Sequence, residues 1–424
     1  MGHLLVVESW VGSMSRLLPR AIAEGGHHFT FLTRDLNHYL RSAPGDSEPH
    51  PLLTARNVLT ADTNDPQVLL PYVERLHSAL SFDGVVSSCD YYLPAVAAIA
   101  ERVALPGPRT DGVLAACRKD LTRRRLADAG VPGPRFALCR DFAEASTAAQ
   151  EIGYPLVVKP VDLCAGMYVT QVCDDRQLAE ALEALAAFPV NARSQVRDPV
   201  VLLEELLTGP EISVETVSFD GEVHVAGVTG KTIGGAPAFV EASHLFPADL
   251  EPALARAAAD TAVAALKALG LDQVVAHTEL KLTPDGPRII EVNPRPAGNQ
   301  ITELVRRVTG IDLAAACVDV ALGRRPDLTG HDTAHGSAAI AFLLPDRDGV
   351  LNAVEGTDSV RADPAVVELT LAPAGSTIRR AASNNEYAGH VMTVDAAPGG
   401  AGRTAEHLLA RLALRYEHDA AATA

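Results

Sequence analysis

The segment HTELKLTPDGPRIIEVNPRP, residues 277–296, decides how this chain is read. AHTELKL and RIIEVNPR each alternate polar and apolar residues with the period of a half-buried strand, and TPDGP supplies turn residues between them. A loop of odd length centred on Asp285 sets Glu279 opposite Glu291, His277 opposite Asn293 and Lys281 opposite Ile289. Leu280 then meets Ile290, and Thr278 meets Val292, on the other face. All the polar groups share one face in this register, and a slip of one residue would bury the acids.

Directly opposed carboxylates, with Cβ atoms about 5 Å apart, repel unless a cation bridges them. Glu279, Glu291 and Asn293 offer hard oxygen ligands. Such a set suits Mg²⁺ or Mn²⁺ held by few protein groups and completed by substrate phosphates. Arg295 lies one step along the same face, where it could stabilise charge building on a transferring phosphoryl group. A hydrated polar strand would explain one acid. The strict alternation of Glu, Asn and Arg opposite His, Glu and Lys favours the metal site.

Composition sets the frame. The 424 residues are 47% apolar and 21% charged, an ordinary globular make-up with room for two to four domains. A net charge of −17 disfavours nucleic acid or an anionic membrane as the main partner. Glu8 interrupts the short apolar start where a signal peptide needs an unbroken run, and no stretch approaches a membrane span. The six cysteines are scattered without a CxxC pair, so reduced thiols and a cytoplasmic location are the expectation.

Along the chain, HLLVVES reads as a buried strand, MSRLLPRAIAEGG as a helix and HFTFLT as a second strand. FDGVVSSC and YLPAVAAIAERVAL continue the alternation, which predicts an α/β unit with a parallel sheet. Gly12-Ser13 could be a phosphate loop, but it lacks the glycine spacing of a dinucleotide fingerprint, and a plain strand-to-helix turn is the favoured reading. Pro106-Gly107-Pro108 closes the unit. Beyond it come a basic helix ending at Gly130, the strands YPLVVKPV and MYVTQV, and the helix DDRQLAEALEALAAF. Antiparallel strands follow, turning at Asp220-Gly221, and the long helix PALARAAADTAVAALKALG precedes the opening segment. The last hundred or so residues alternate short strands and turns and end in the helix GRTAEHLLARLALRYE.

Lys159 ends the strand PLVVK, at a strand mouth where ligands gather in α/β folds; alone it would more often be an edge lysine. Lys119 starts a helix among basic residues, and a solvated helical face is the simplest account of Arg123, Arg124 and Arg125. VLLEELLTGPEISVE runs a buried strand into Glu204, Glu205, Leu206, Leu207 and a Gly-Pro turn, with Glu211 beyond. Backbone groups of residues 205–207 could read an adenine edge and Glu211 accept from ribose hydroxyls, but an exposed acidic turn fits the spacing as well.

Lys119, Lys159, EELLTGPE, Glu279, Glu291 and Asn293, in this order, resemble the ATP-grasp superfamily. LADAGVPGPRF, YPLVVKP and EVNPRP are typical of it, and the resemblance covers nearly the whole chain. Within the superfamily the chain is most similar to the L-amino-acid ligases, the dipeptide-forming carboxylate–amine ligases. FVEASH, EVNPRPAGNQI and the C-terminal segment carry that likeness. It implies an ATP-grasp fold, α/β overall and α+β in the ATP-binding part. The expected divisions are an N-terminal Rossmann-like pre-ATP-grasp domain (1–112), a lid or central domain (113–204), a catalytic domain (205–328) and a β-rich C-terminal domain (329–424).

The resemblance further implies that Lys119 and Lys159 contact the α- and β-phosphates of ATP, with Lys231 also near the phosphates. The 205–207 backbone, after Glu204, would hold adenine, and Glu211 the ribose. Glu279, Glu291 and Asn293 would hold two Mg²⁺ (or Mn²⁺) ions, and Glu241, His244, Arg295 and Gly298 would line the acyl-phosphate and amino-acid pocket. The implied reaction joins a small-molecule carboxylate to an amine through an acyl phosphate, releasing ADP and phosphate. Relatives are often dimers, so a homodimer is the expected assembly. The rivals are a biotin-carboxylase-like or purine-biosynthetic ATP-grasp enzyme, a nucleotide-binding regulator without catalysis, and a metal-binding structural module. One departure stands out: in the lid loop, VDLCAGMYV, Leu163 and Cys164 replace small residues. Cys164 is not read as a nucleophile, because no histidine partner is evident.

Overall fold

The structure, a computed structural model, describes residues 1–9, 12–40, 50–234 and 238–417. At the N-terminus, β1 (His3–Val7), β2 (His28–Thr33), β3 (Asn57–Thr60) and β4 (Gly84–Val86) form a parallel sheet in the order β3-β2-β1-β4. All five residues of β1 are buried, as expected of a parallel strand covered on both faces. The helix Met14–Glu24 buries Met14, Leu17, Leu18, Ala21 and Ile22, one stripe at helical spacing, against Leu4, Val6 and Phe29. Each large side chain removed from water there contributes about 1.5–3 kcal/mol. The strand–helix alternation read in the sequence is present.

The next sheet is antiparallel. It contains β5 (Phe136–Cys139), β6 (Leu156–Pro160), β7 (Thr170–Val172) and β8 (Val201–Glu205), in the order β5-β8-β6-β7. Helices Phe142–Ile152 and Asp175–Ala186 back it, and each starts with a capping aspartate. Asp141 accepts from the Glu144 amide and Asp174 from the Gln177 amide. The expected strand MYVTQV is shorter than read: Met167 and Tyr168 lie in a turn, with Tyr168 at φ 58°.

An eight-stranded sheet forms the centre. Its strands are β9 (Glu211–Phe219), β10 (Glu222–Ile233), β11 (Glu241–Phe246), β12 (Val274–Thr283), β13 (Gly286–Asn293) and β14 (Ser337–Phe342), joined by two strands from the C-terminal segment. That segment also contains β15 (Gly349–Glu355), β16 (Val366–Leu371), β17 (Thr377–Ile378), β18 (Gly389–Asp395) and β19 (Ala413–Tyr416). The central order is β13-β12-β9-β10-β11-β14-β18-β16, and β17-β15-β19 make a small separate sheet. The helix Pro252–Leu269 packs Ala258, Ala262, Ala265 and Leu266 on the central sheet, and Gly270 ends it at φ 69°, a left-handed cap that suits glycine. The final helix spans only Gly400–Leu409; the apolar LALRY that follows pairs as β19 with β15 rather than extending the helix. No described helix is long and apolar enough to cross a membrane.

Both hairpins read from the sequence are present. Phe219 faces Glu222 across Asp220-Gly221, both at positive φ (53° and 78°), as a two-residue hairpin turn requires. Across β12 and β13, His277 faces Asn293, Thr278 faces Val292 and Glu279 faces Glu291, as expected. Beyond that point the register departs. The turn is the two residues Pro284-Asp285 between Thr283 and Gly286, so a bulge next to Ile290 absorbs the extra residue and Lys281 faces Arg288.

Candidate functional site

The polar face of the β12–β13 hairpin meets the ends of β6, β8, β9 and β11 in one cleft, with a cavity volume of about 210 Å³. Strand alternation places Glu279, Lys281, Glu291, Asn293 and Arg295 on its wall. The facing acids are not left to repel each other. Lys231 Nζ lies 2.6 Å from Glu279, 2.5 Å from Glu241 and 3.8 Å from Glu211. Lys119 Nζ lies 3.0 Å from Glu291 and donates to the Leu163 carbonyl at 2.7 Å.

The Lys231 side chain is fully buried. Burial works against its charge, yet Glu241, Glu279 and Glu211 more than offset this and hold the ammonium well above the usual lysine range. Burial likewise opposes the charged form of Glu241, but Lys231 and His244 hold that carboxyl well down. Glu211 goes the other way. Burial pushes it up, and the nearby Glu279 and Glu241 charges outlast the offset from Lys231 and Lys281. Glu241, Glu279 and Glu211 thus crowd round Lys231, with Lys281 a further 3.1 Å from Glu211 and the His277 ring against Glu279. Behind Glu279, the His277 ring bridges Glu215 at 3.0 Å and Glu279 at 3.1 Å. Burial lowers the imidazole, but Glu215 and Glu279 together outweigh this and push it up to about 9.

Lys159 is also engaged: its Nζ lies 2.7 Å from Glu204, which Arg123 Nε meets at 2.5 Å from the other side. Burial alone would raise the Glu204 carboxyl; Arg123 and Lys159 outweigh it and hold it at about 2. This corrects the solvated-face account of the basic helix for Arg123, which is 3% exposed and also donates to the Ile290 carbonyl. The helix presents one arginine inward, which spacing alone does not reveal; Arg124 stays exposed. An exposed acidic turn is likewise excluded at Glu204, which is 2% exposed.

The structure brings Lys119, Lys159, the run Glu204–Leu207, Glu211 and Glu241 to the cleft wall with the hairpin groups and Gly298. Lys231 and His244 stand behind that wall. His244 is 1% exposed, stacks edge-on against Phe342, and has Nε2 3.2 Å from Glu241 in an ion-pair contact too misaligned for a hydrogen bond. Arg295 donates from Nε and Nη2 to the two oxygens of Asp90 at 2.7 and 2.9 Å, and from Nη1 to the Pro296 carbonyl. Three of its five N–H groups are therefore used, and one on each Nη nitrogen is left for a ligand.

For a divalent ion, the donor set is two carboxylates and one amide oxygen on one cleft wall, the hard-oxygen chemistry of Mg²⁺ or Mn²⁺. Ammonium groups already sit against both acids, so the position is one that attracts cations. No group of three or more His, Cys, Asp or Glu side chains gathers as a metal cluster among the described residues. The site fits an ion completed by ligand phosphates better than a closed protein cage.

Sequence reading missed Asp90, Arg123, Asn384 and Asn385, all within or next to this wall. Asp90 had a usable signal, since SSCDYY follows β4 at the carboxyl edge of the parallel sheet. Asn384 and Asn385 had none. In the segment VDLCAGMYV, expected to be the lid loop, Leu163 and Cys164 turn inward at 3% and 7% exposure, and burial pushes the Cys164 thiol well up, against a nucleophilic thiolate.

Comparison with known proteins gives a consistent picture. Residues 21–107 match the model of the ATP-grasp N-terminal domain, 152–303 that of the ATP-grasp domain, and 341–417 that of the L-amino acid ligase C-terminal domain 2. An uncharacterized protein of Sinorhizobium fredii, y4rH, is 32% identical over 80% of this chain and 69% of its own length. An alanine–anticapsin ligase of Bacillus subtilis is 26% identical over 63% of this chain; the chain spans 60% of that protein. The crystal structure of an L-amino acid ligase from Bacillus licheniformis superposes with a TM-score of 0.80 at 22% identity, over 98% of this chain and 99% of that one, a likeness of fold.

Proposed function

Because the chain belongs to the ATP-grasp ligases and carries the L-amino-acid-ligase C-terminal domain, we propose that it forms an amide or peptide bond between amino-acid-like substrates. It is an ATP-dependent, ADP-forming carboxylate–amine ligase. A carboxylate attacks the γ-phosphate of ATP, the bond to the β-phosphate oxygen breaks, and ADP leaves an acyl phosphate. An amine then attacks the acyl carbon and expels phosphate. Little covalent chemistry falls to the protein; alignment and charge neutralisation dominate.

In this reading Lys119 and Lys159 face the α- and β-phosphates, with Lys231 fixing the acids behind. The 205–207 backbone takes the adenine edge and Glu211 the ribose. Glu279, Glu291 and Asn293 hold two Mg²⁺ ions, which would neutralise the phosphates and draw charge from the transferring group. Arg295, oriented by Asp90, offers its two remaining N–H groups to the acyl-phosphate oxygens. Glu241, with His244 behind it, and Gly298 border the amino-acid pocket. The observation that carries this reading is the pair Glu279 and Glu291 facing each other in the same cleft as residues 205–207.

The test is a screen of carboxylate and amine pairs for ADP release, with hydroxylamine as a trapping amine. An activated amino acid gives a stable hydroxamate. Bicarbonate-dependent ADP release without hydroxamate would instead place the chain among carboxylating enzymes.

A further inference from the structure

The loop joining β17 to β18 reaches from the C-terminal segment into the cleft, where Asn384 and Asn385 form part of the wall. It is a built loop. The Arg380 amide donates to Asp348 at 2.7 Å, and Ser383 donates from its amide and its hydroxyl to one Glu386 oxygen, at 2.7 and 2.6 Å. Tyr387 stacks on Phe342 with centroids 4.3 Å apart, and the Ala388 amide donates to the Leu343 carbonyl.

Asn384 is tied at two points. Its Oδ1 accepts from the Glu241 amide at 2.9 Å, and its own amide donates to the Ala165 carbonyl of the lid loop at 3.3 Å. The first bond decides the orientation of the side chain. A backbone N–H demands an acceptor, so the carbonyl must face Glu241 and the –NH₂ must face away. Among the described residues no protein acceptor takes those two N–H groups, and the residue is half-buried on the cleft wall. A fixed amide donor of this kind meets an oxygen, not an ammonium. Its neighbours on either side are Glu241 and the loop expected to cover the phosphates.

We propose that Asn384 is a substrate-binding residue, whose side-chain –NH₂ donates to a carboxylate oxygen of the acyl-donor substrate while its backbone N–H holds the lid loop at Ala165. This rests on the ligase reading above and deepens it. The C-terminal segment then helps to select the acid that is activated, and substrate contact and lid position meet in one residue.

Asn384→Asp is the sharpest test. It keeps an oxygen for the Glu241 amide and the shape of the side chain, but replaces the donor with a second acceptor. Asn384→Ala removes both. The probe is the amino acid giving most hydroxamate in the screen, with hydroxylamine as the amine and saturating MgATP. A hydrogen bond to a charged group corresponds to roughly a 10- to 100-fold effect. KM for the acyl donor should rise by about that factor in Asn384→Ala and by at least as much in Asn384→Asp, while the Kd for MgATP, measured directly, changes less than about two-fold. An unchanged acyl-donor KM in Asn384→Asp overturns the inference, as does an effect confined to the amine substrate. Native protein that gives no hydroxamate with any acid would overturn the ligase reading and this inference together; hydroxamate formed equally by native and variant proteins would overturn the Asn384 role alone.

Discussion

Lys119 Nζ sits 3.0 Å from Glu291 Oε1 across 172 residues of chain. Burial disfavours the ammonium, but Glu291 outweighs it and keeps the lysine above its usual range. The contact joins the helix Lys119–Asp128 to the hairpin that carries the facing acids, and it puts a counter-charge where a metal–phosphate group is proposed to bind.

Replacing Glu291 with Ala should therefore lower ADP release by about 100-fold or more, the scale expected when a metal's protein environment is damaged. The Glu291 side chain is 24% exposed, so the fold should persist, with an unchanged circular dichroism spectrum. Steady-state ADP release at saturating substrates checks this, and normal turnover would remove Glu291 from the site.

Lys231 carries a larger structural burden. Lys231→Met leaves Glu241, Glu279 and Glu211 around an apolar chain, and stripping the partner from a buried ion cluster costs about 3–5 kcal/mol. Denaturant unfolding of the variant should show an earlier transition. The same transition should move back when MgATP is added, and a variant as stable as the native chain would contradict the charge account.

Acid stability should depend on Glu204. Its folded-state carboxyl is depressed to about 2 from an ordinary 4.5, so its contribution is fully present above pH 4.5 and is lost as pH falls from there towards 2. That shift corresponds to roughly 3 kcal/mol. Unfolding followed between pH 5 and 3 should be steeper in pH for the native chain than for Glu204→Gln, which starts less stable but lacks this titration. Parallel curves would show that Arg123 and Lys159 do not depress the carboxyl.

Nucleotide should stabilise the chain only together with metal. Mass action predicts about 2.7 kcal/mol at a ligand concentration 100 times Kd. Thermal melts with ATP plus Mg²⁺ should shift upward, while ATP with EDTA should shift far less. Equal shifts would mean that nucleotide binds without the Glu279–Glu291 pair holding a cation.

Local pattern made part of this site legible. Period-two alternation places Glu279, Glu291 and Asn293 on one face, because a strand has only two faces. The bulge beside Ile290 escaped, since a two-residue and a three-residue turn fit TPDGP equally well. The inward turn of Arg123 is not legible in the sequence, because a short basic helix has no apolar stripe to show which side faces inward.

By itself the sequence determined the strand–helix alternation of the N-terminal part, the two hairpins and the facing acids, all of which show in local periodicity and turn residues. Only the tertiary structure decided that Asp90 grips Arg295, that Arg123 and Lys159 share Glu204, and that Asn384 touches both Glu241 and Ala165. Those pairs lie up to 205 residues apart, and a contact across such a distance leaves no period in the chain. It forms only once packing has closed the loops between, so charge partners and ligand-facing donors are settled by the fold as a whole.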